Sequence, residues 1–118
     1  MSDGLKIGFL GAGKMATALA KGFLQAGLIE ARDLIASDCV ASAREAFRQE
    51  LGATITDRNP EVAAFANVLL LAVKPAQVRD VLAEIRPRLT PNHLVISIAA
   101  GVPLPAMESA LGGATRVV

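Results

Sequence analysis

The chain has 118 residues, a single domain on the usual length scale, with 53% hydrophobic residues, 3% aromatics (all Phe) and a formal charge of +1. Scattered basic residues without aromatic clusters exclude a nucleic-acid surface, and the solitary Cys39 excludes both a disulfide framework and a thiolate metal site. No apolar run reaches the roughly 18–20 residues of a membrane span, and the opening MSDGLK lacks the basic and apolar blocks of a leader peptide, so a cytoplasmic protein without a membrane partner is expected.

The apolar pattern predicts a short buried strand over 5–10, then a helix with Met15, Leu19, Phe23 and Leu24 at helical spacing and Gly27 as its stop. DLIAS (33–37) reads as a second strand, and ASAREAFRQELG (41–52) as a helix ending at Gly52. ATIT (53–56) is a third strand, followed by a turn at Asn59-Pro60 into a short helix. NVLLLAV (67–73) is apolar throughout, as a central parallel strand should be. The next helix starts at Pro75 and sets Val78, Val81, Leu82 and Ile85 on one face. HLVISIAAG (93–101) is a fifth strand, LPAMESALGG a short helix, and ATRVV (114–118) the start of a sixth strand. Strands and helices that alternate with short connections imply right-handed crossovers. The expected fold is a single α/β domain, a Rossmann-type doubly wound parallel sheet of about six strands.

Gly11-Ala12-Gly13-x-x-Ala16 then falls between the first strand and the first helix, the G-x-G-x-x-A arrangement of a dinucleotide site. Gly11 permits the turn. Gly13 leaves room for a pyrophosphate against the backbone amides, and Ala16 lets helix and strand pack closely. The helix N-terminus adds free N–H groups and the positive end of a dipole. The bland alternative is a purely structural turn. Ser37 and Asp38, at the end of the second strand, stand where an adenosine ribose would lie. Asp38 would bond ribose hydroxyls and repel a 2′-phosphate, whereas Ser37 with Arg44 would receive that phosphate. Either Ser37 or Asp38 would also serve as a cap of the next helix. His93 reads as a surface or strand-entry residue, and Cys39 as one that packs.

Taken together, IGFLGAGKMATALAKGF (7–23), LLAVKP (70–75) and VISIAAGV (95–102) resemble the corresponding stretches of pyrroline-5-carboxylate reductases, and the resemblance covers essentially the whole chain. Those enzymes reduce the imine 1-pyrroline-5-carboxylate to L-proline. The resemblance implies NADPH as cofactor, with NADH also usable. It makes Leu10, Gly11, Ala12, Gly13, Lys14 and Met15 the pyrophosphate loop, Ser37 and Asp38 the ribose position, and Asn59 a contact on the adenine side. Ala72, Val73, Lys74 and Pro75 would lie over the central sugars, and Ile98, Ala99, Ala100 and Gly101 beside the nicotinamide. For Lys74 a plain helix-start surface lysine is the competing reading. No metal is implied and no side chain is assigned as catalytic acid, because the imine nitrogen can arrive protonated.

The family continues past this sheet into a helical domain that forms a homo-oligomer and supplies most of the imine pocket. Residues 1–118 are therefore expected to hold the cofactor and not to turn over the imine alone. Two alternatives stay open: another 6-phosphogluconate-dehydrogenase-like NADP oxidoreductase, and a stand-alone NAD(P)-binding module without chemistry.

Overall fold

A computed structural model describes residues 4–98, 104–112 and 115–118. Six strands, β1 (Ile7–Leu10), β2 (Leu34–Ser37), β3 (Thr54–Thr56), β4 (Val68–Leu71), β5 (Leu94–Ser97) and β6 (Arg116–Val117), form one sheet in the order β3-β2-β1-β4-β5-β6. All five pairings are parallel. The helices are α1 (Lys14–Gln25), α2 (Ala41–Leu51), α3 (Asn59–Phe65), α4 (Val78–Ile85) and α5 (Leu104–Ala110), with single 3-10 turns at Ala31–Asp33, Pro75–Gln77 and Arg86–Arg88. The expected doubly wound architecture is the one observed, with its order reversal between β1 and β4.

The core divides along the alternation of each strand. Ile7 and Phe9 point to the α1/α2 face, where they meet Ala16, Ala20, Phe47 and Leu51. Leu10, Leu69 and Leu71 point to the face built by Val62 of α3, Val78, Val81, Leu82 and Ile85 of α4, and Met107 of α5. The predicted buried face of α4 is the observed one. In α1 the deeply buried positions are Ala16 and Ala20, whereas Met15 is 61% exposed and Leu19, Phe23 and Leu24 are half-buried. Small side chains let α1 lie close to β1, and the larger ones flank that contact. Close approach recurs on the other face. A Cβ built on Gly8 would stand 2.4 Å from Val62 Cγ1, so only glycine lets α3 settle onto β1.

Two isolated polar residues serve the scaffold. His93 enters β5 from its N-terminal end and is buried, contrary to a surface reading. Its Nδ1 accepts from the Thr90 N–H at 2.9 Å, and Nε2 lies 2.8 Å from the Ala63 carbonyl, to which it donates. Asn67 joins the N-terminal ends of three strands. Its Oδ1 accepts from the Lys6 N–H at 3.1 Å, its Nδ2 donates to the Gly4 carbonyl at 2.7 Å, and its own carbonyl takes the Leu94 N–H at 2.9 Å. Asn67→Ala removes the two side-chain bonds at a partly exposed site and is expected to cost about 1 kcal/mol in urea unfolding. An unchanged midpoint would show that water replaces both bonds without loss.

Candidate functional site

The register sets the C-terminal strand ends level. Leu10 is opposite Ser37 and Leu71, Ser37 is opposite Thr56, and Leu71 is opposite Ser97. The segments beginning at Gly11, Asp38, Ala72 and Ile98 therefore leave the sheet along one edge, beside the order reversal where open α/β sheets bind ligands. A cleft of about 510 Å³ opens there, lined by Gly11, Gly13, Ser37, Asp38, Asn59, Ala72, Val73 and Lys74 among the residues named from the sequence.

The glycine loop is pinned from both sides. The Gly11 N–H donates to the Ser37 carbonyl at 2.8 Å, and the Ala72 N–H to the Leu10 carbonyl at 2.8 Å. Gly11 has φ +110°, and a Cβ there would lie 2.7 Å from the Ala72 carbonyl oxygen. Gly13 differs in kind. It is the N-cap of α1 with φ −77°, exposed, and nothing lies within 4 Å of a Cβ built on it. The first turn of α1 has no side-chain cap and no acidic residue. Its leading amides have no acceptor within the helix, which leaves them for an anion.

Asp38 is held at every polar atom. Its Oδ2 accepts from the Ala12 N–H at 3.0 Å and its Oδ1 from the Val40 N–H at 2.9 Å. Its N–H donates to the Thr56 carbonyl at 3.2 Å, and its carbonyl accepts from Arg44 Nη1 at 2.8 Å. Capping by Ser37 or Asp38 does not occur: the N-cap of α2 is Val40, without a side-chain bond, because the turn after β2 runs two residues longer before the helix starts. Ser37 is buried and donates through Oγ to Asn59 Oδ1 at 2.6 Å, while Asn59 Nδ2 donates to Glu84 Oε1 at 3.3 Å.

Other named residues stand beside the cleft rather than in its wall. Leu10 is fully buried in the core, so only its main chain reaches the edge. Ala12 contributes an amide that Asp38 already holds, and Lys14 lines a separate groove between α1 and α2 with Lys21 and Glu50. Met15, Arg44, Pro75 and Ile98 do not line the cleft. Ala99, Ala100 and Gly101 lie outside the described residues. Lys74 is exposed at the start of the Pro75–Gln77 turn, as a helix-start surface lysine would be, and it also lines the cleft.

The sequence reading missed Cys39, Val40, Ala43, Gln77, Asp80, Val81 and Glu84, which complete the lining. Cys39 is exposed there, in the turn between β2 and α2, and not packed. The signal for Asp80 and Glu84 lay in the pattern. They are polar positions at one-turn spacing on a helix that starts at the cleft edge of the sheet. Glu45 and Arg48, by contrast, are an exposed pair on α2. The hydrogen bond from Arg48 holds the Glu45 carboxyl below its ordinary range, the same bond raises Arg48, and neither residue lines the cleft. Among the described residues no group of His, Cys, Asp and Glu is placed to hold a metal ion, and no helix is long and apolar enough to cross a membrane.

Known proteins carry the same arrangement. A family profile described as NADP oxidoreductase, coenzyme F420-dependent, matches residues 6–101. The pyrroline-5-carboxylate reductase of Methanosarcina acetivorans is 42% identical over 113 residues, covering 96% of this chain and 42% of that protein. Pyrroline-5-carboxylate reductase 3 of Mus musculus is 41% identical over the whole chain and 43% of its own length. Among solved structures, a pyrroline-5-carboxylate reductase from Coxiella burnetii superposes with a TM-score of 0.90 at 32% identity, over 98% of this chain and 43% of that one. The Plasmodium falciparum pyrroline carboxylate reductase, solved with NADP bound, does so at 0.84 and 27%, over 99% and 42%. The chain thus spans about two-fifths of the length of the curated relatives it matches. With its six-stranded sheet, its glycine loop and this match over most of its length, the chain belongs to the NADP oxidoreductase, coenzyme F420-dependent, family, and its relatives are pyrroline-5-carboxylate reductases.

Proposed function

We propose that this chain is the dinucleotide-holding domain of a pyrroline-5-carboxylate reductase, with NADPH as cofactor and NADH also accepted. The observation that carries the reading is Gly13. Its backbone is open to any residue and its surroundings have room for a side chain, so the fold itself does not require glycine there. What the missing side chain leaves is free space directly over the N-terminus of a 12-residue helix. That is a cradle for a pyrophosphate. Ser37, Asp38 and Asn59 would take the adenosine end, and Ala72, Val73 and Lys74 the central sugars. Ile98, at the end of β5, would approach the nicotinamide side.

When bound, the reduced nicotinamide would supply a hydride to the imine carbon of 1-pyrroline-5-carboxylate. The part of this chain is position: it fixes the dinucleotide along the sheet edge so that one end is presented to a substrate, an orientation effect worth several kcal/mol. The imine substrate rests on the resemblance and on the names of the relatives, and a homo-oligomeric state on the resemblance alone. An exposed free thiol at Cys39 fits a reducing, cytoplasmic setting.

Titrating NADPH and NADH into the purified chain, followed by reduced-nicotinamide fluorescence, tests the reading. Saturable binding of both is expected, with NADPH modestly tighter, and binding of neither would refute it. Arg44 bears on the 2′-phosphate. Its guanidinium stands at the Asp38 turn, half-buried, although the side chain does not line the cleft. Arg44→Ala is expected to weaken NADPH about threefold more than NADH, roughly 0.7 kcal/mol of discrimination. Equal losses for the two cofactors would remove the phosphate role of Arg44.

A further inference from the structure

Three polar side chains from three different elements form an ordered line on the adenosine side of the cleft. Ser37 Oγ, at the end of β2, donates to Asn59 Oδ1 at 2.6 Å. Asn59 Nδ2, at the start of α3, donates to Glu84 Oε1 of α4 at 3.3 Å. Nothing in the dinucleotide reading uses the outermost member. The direction of the line is nevertheless imposed from that end. A carboxylate only accepts, so Glu84 selects the amide nitrogen of Asn59. Asn59 then turns its carbonyl oxygen toward Ser37, and the single hydroxyl hydrogen of Ser37 is committed to it. Ser37 is almost wholly buried, which favours keeping that hydrogen on Asn59, and it forms part of the cleft wall.

The consequence is chemical. Facing the cleft, Ser37 retains only lone pairs. Beside it the Asp38 carboxylate is also an acceptor, already seated on the amides of Ala12 and Val40. A corner of acceptors suits a ribose hydroxyl, which donates. It offers nothing to a 2′-phosphate unless Asn59 turns over and releases the Ser37 hydrogen.

Resting on the dinucleotide reading above, we propose that Glu84 is a positioning residue. Through Asn59 it fixes the direction of the Ser37 hydroxyl and so restrains NADPH relative to NADH. Asp80, one turn earlier on the same helix, also lines the cleft but takes no part in the line, and so isolates the effect of charge alone.

The test is the ratio of NADPH to NADH dissociation constants, measured by calorimetry, in the wild-type chain and in Glu84→Ala, Glu84→Gln and Asp80→Ala. Glu84 is an exposed helix residue, and circular dichroism checks that each variant is folded. Glu84→Ala is expected to move the ratio toward NADPH by about fivefold, a hydrogen-bond-sized effect. Glu84→Gln, whose amide donates as well as accepts, no longer dictates which end of Asn59 faces it and should shift the ratio in the same direction as Glu84→Ala but by less. Asp80→Ala, which removes a cleft charge without touching the line, should shift it by less than half as much as Glu84→Ala. In a Ser37→Ala background, Glu84→Ala should no longer move the ratio, because the hydroxyl through which it acts is gone. An unchanged ratio in Glu84→Ala, equal shifts in all three single variants, or a persistent shift in the Ser37→Ala background would each overturn the proposal. If the wild-type chain bound neither cofactor, the dinucleotide reading would fall and this inference with it.

Discussion

Alanine in place of Gly11 is expected to destabilise the chain by about 3 kcal/mol, a large share of the roughly 5–15 kcal/mol that holds a domain of this size together. Two costs add. At φ +110° an L-residue is strained, worth about 1–3 kcal/mol. The new methyl would also stand 2.7 Å from the Ala72 carbonyl oxygen and 2.9 Å from its carbon. That neighbour is backbone and cannot swing aside, since the Ala72 N–H is tied to Leu10 and the Gly11 N–H to Ser37. Relieving the contact means loosening the central strands β1 and β4 where they leave the sheet, at an overpacking cost of about 1–3 kcal/mol. Guanidinium unfolding of the two proteins measures the difference. A loss below about 1 kcal/mol would show that the loop relaxes far more easily than its hydrogen bonds indicate.

Valine in place of Gly13 should do the reverse, sparing the fold and removing the ligand. The backbone conformation is ordinary and the built Cβ meets nothing within 4 Å, so the only structural loss is a poorer N-cap, about 1 kcal/mol or less. The branched side chain would, however, fill the space over the leading amides of α1. Nicotinamide dinucleotide affinity is expected to fall at least tenfold, about 1.4 kcal/mol, for NADPH and NADH alike. Unchanged affinity in a folded Gly13→Val protein would mean that the pyrophosphate does not lie there. On these expectations the two glycines of one motif separate into one that the fold needs and one that the proposed ligand needs.

The amino-acid sequence by itself determined the order of elements, the parallel sheet and the strand ends along which the cleft opens. These follow from local information. Short apolar runs alternate with helical periodicity, each connection is short, and a parallel crossover has one favoured hand, so the topology has few alternatives. The buried face of α4 was legible for the same reason, since Val78, Val81, Leu82 and Ile85 are neighbours on a helix whatever it packs against. The short Ala31–Asp33 turn was not legible, because a single 3-10 turn has no period to read.

What only the tertiary structure decided are pairings between residues far apart in the chain. Asp38 meets the Ala12 amide, 26 residues away, because β2 lies beside β1 with Ser37 level with Leu10. Asn59 meets Ser37 and Glu84, 22 and 25 residues away, because α3 settles over β1 and β2 through the gap left at Gly8 and α4 packs beside it. Neither propensity nor spacing carries such distances. They depend on strand register and on how near a helix can approach a sheet. Those same factors left Cys39 exposed, buried His93 against the Ala63 carbonyl, and brought Asp80 and Glu84 into a wall that sequence reasoning had built from the strand ends alone.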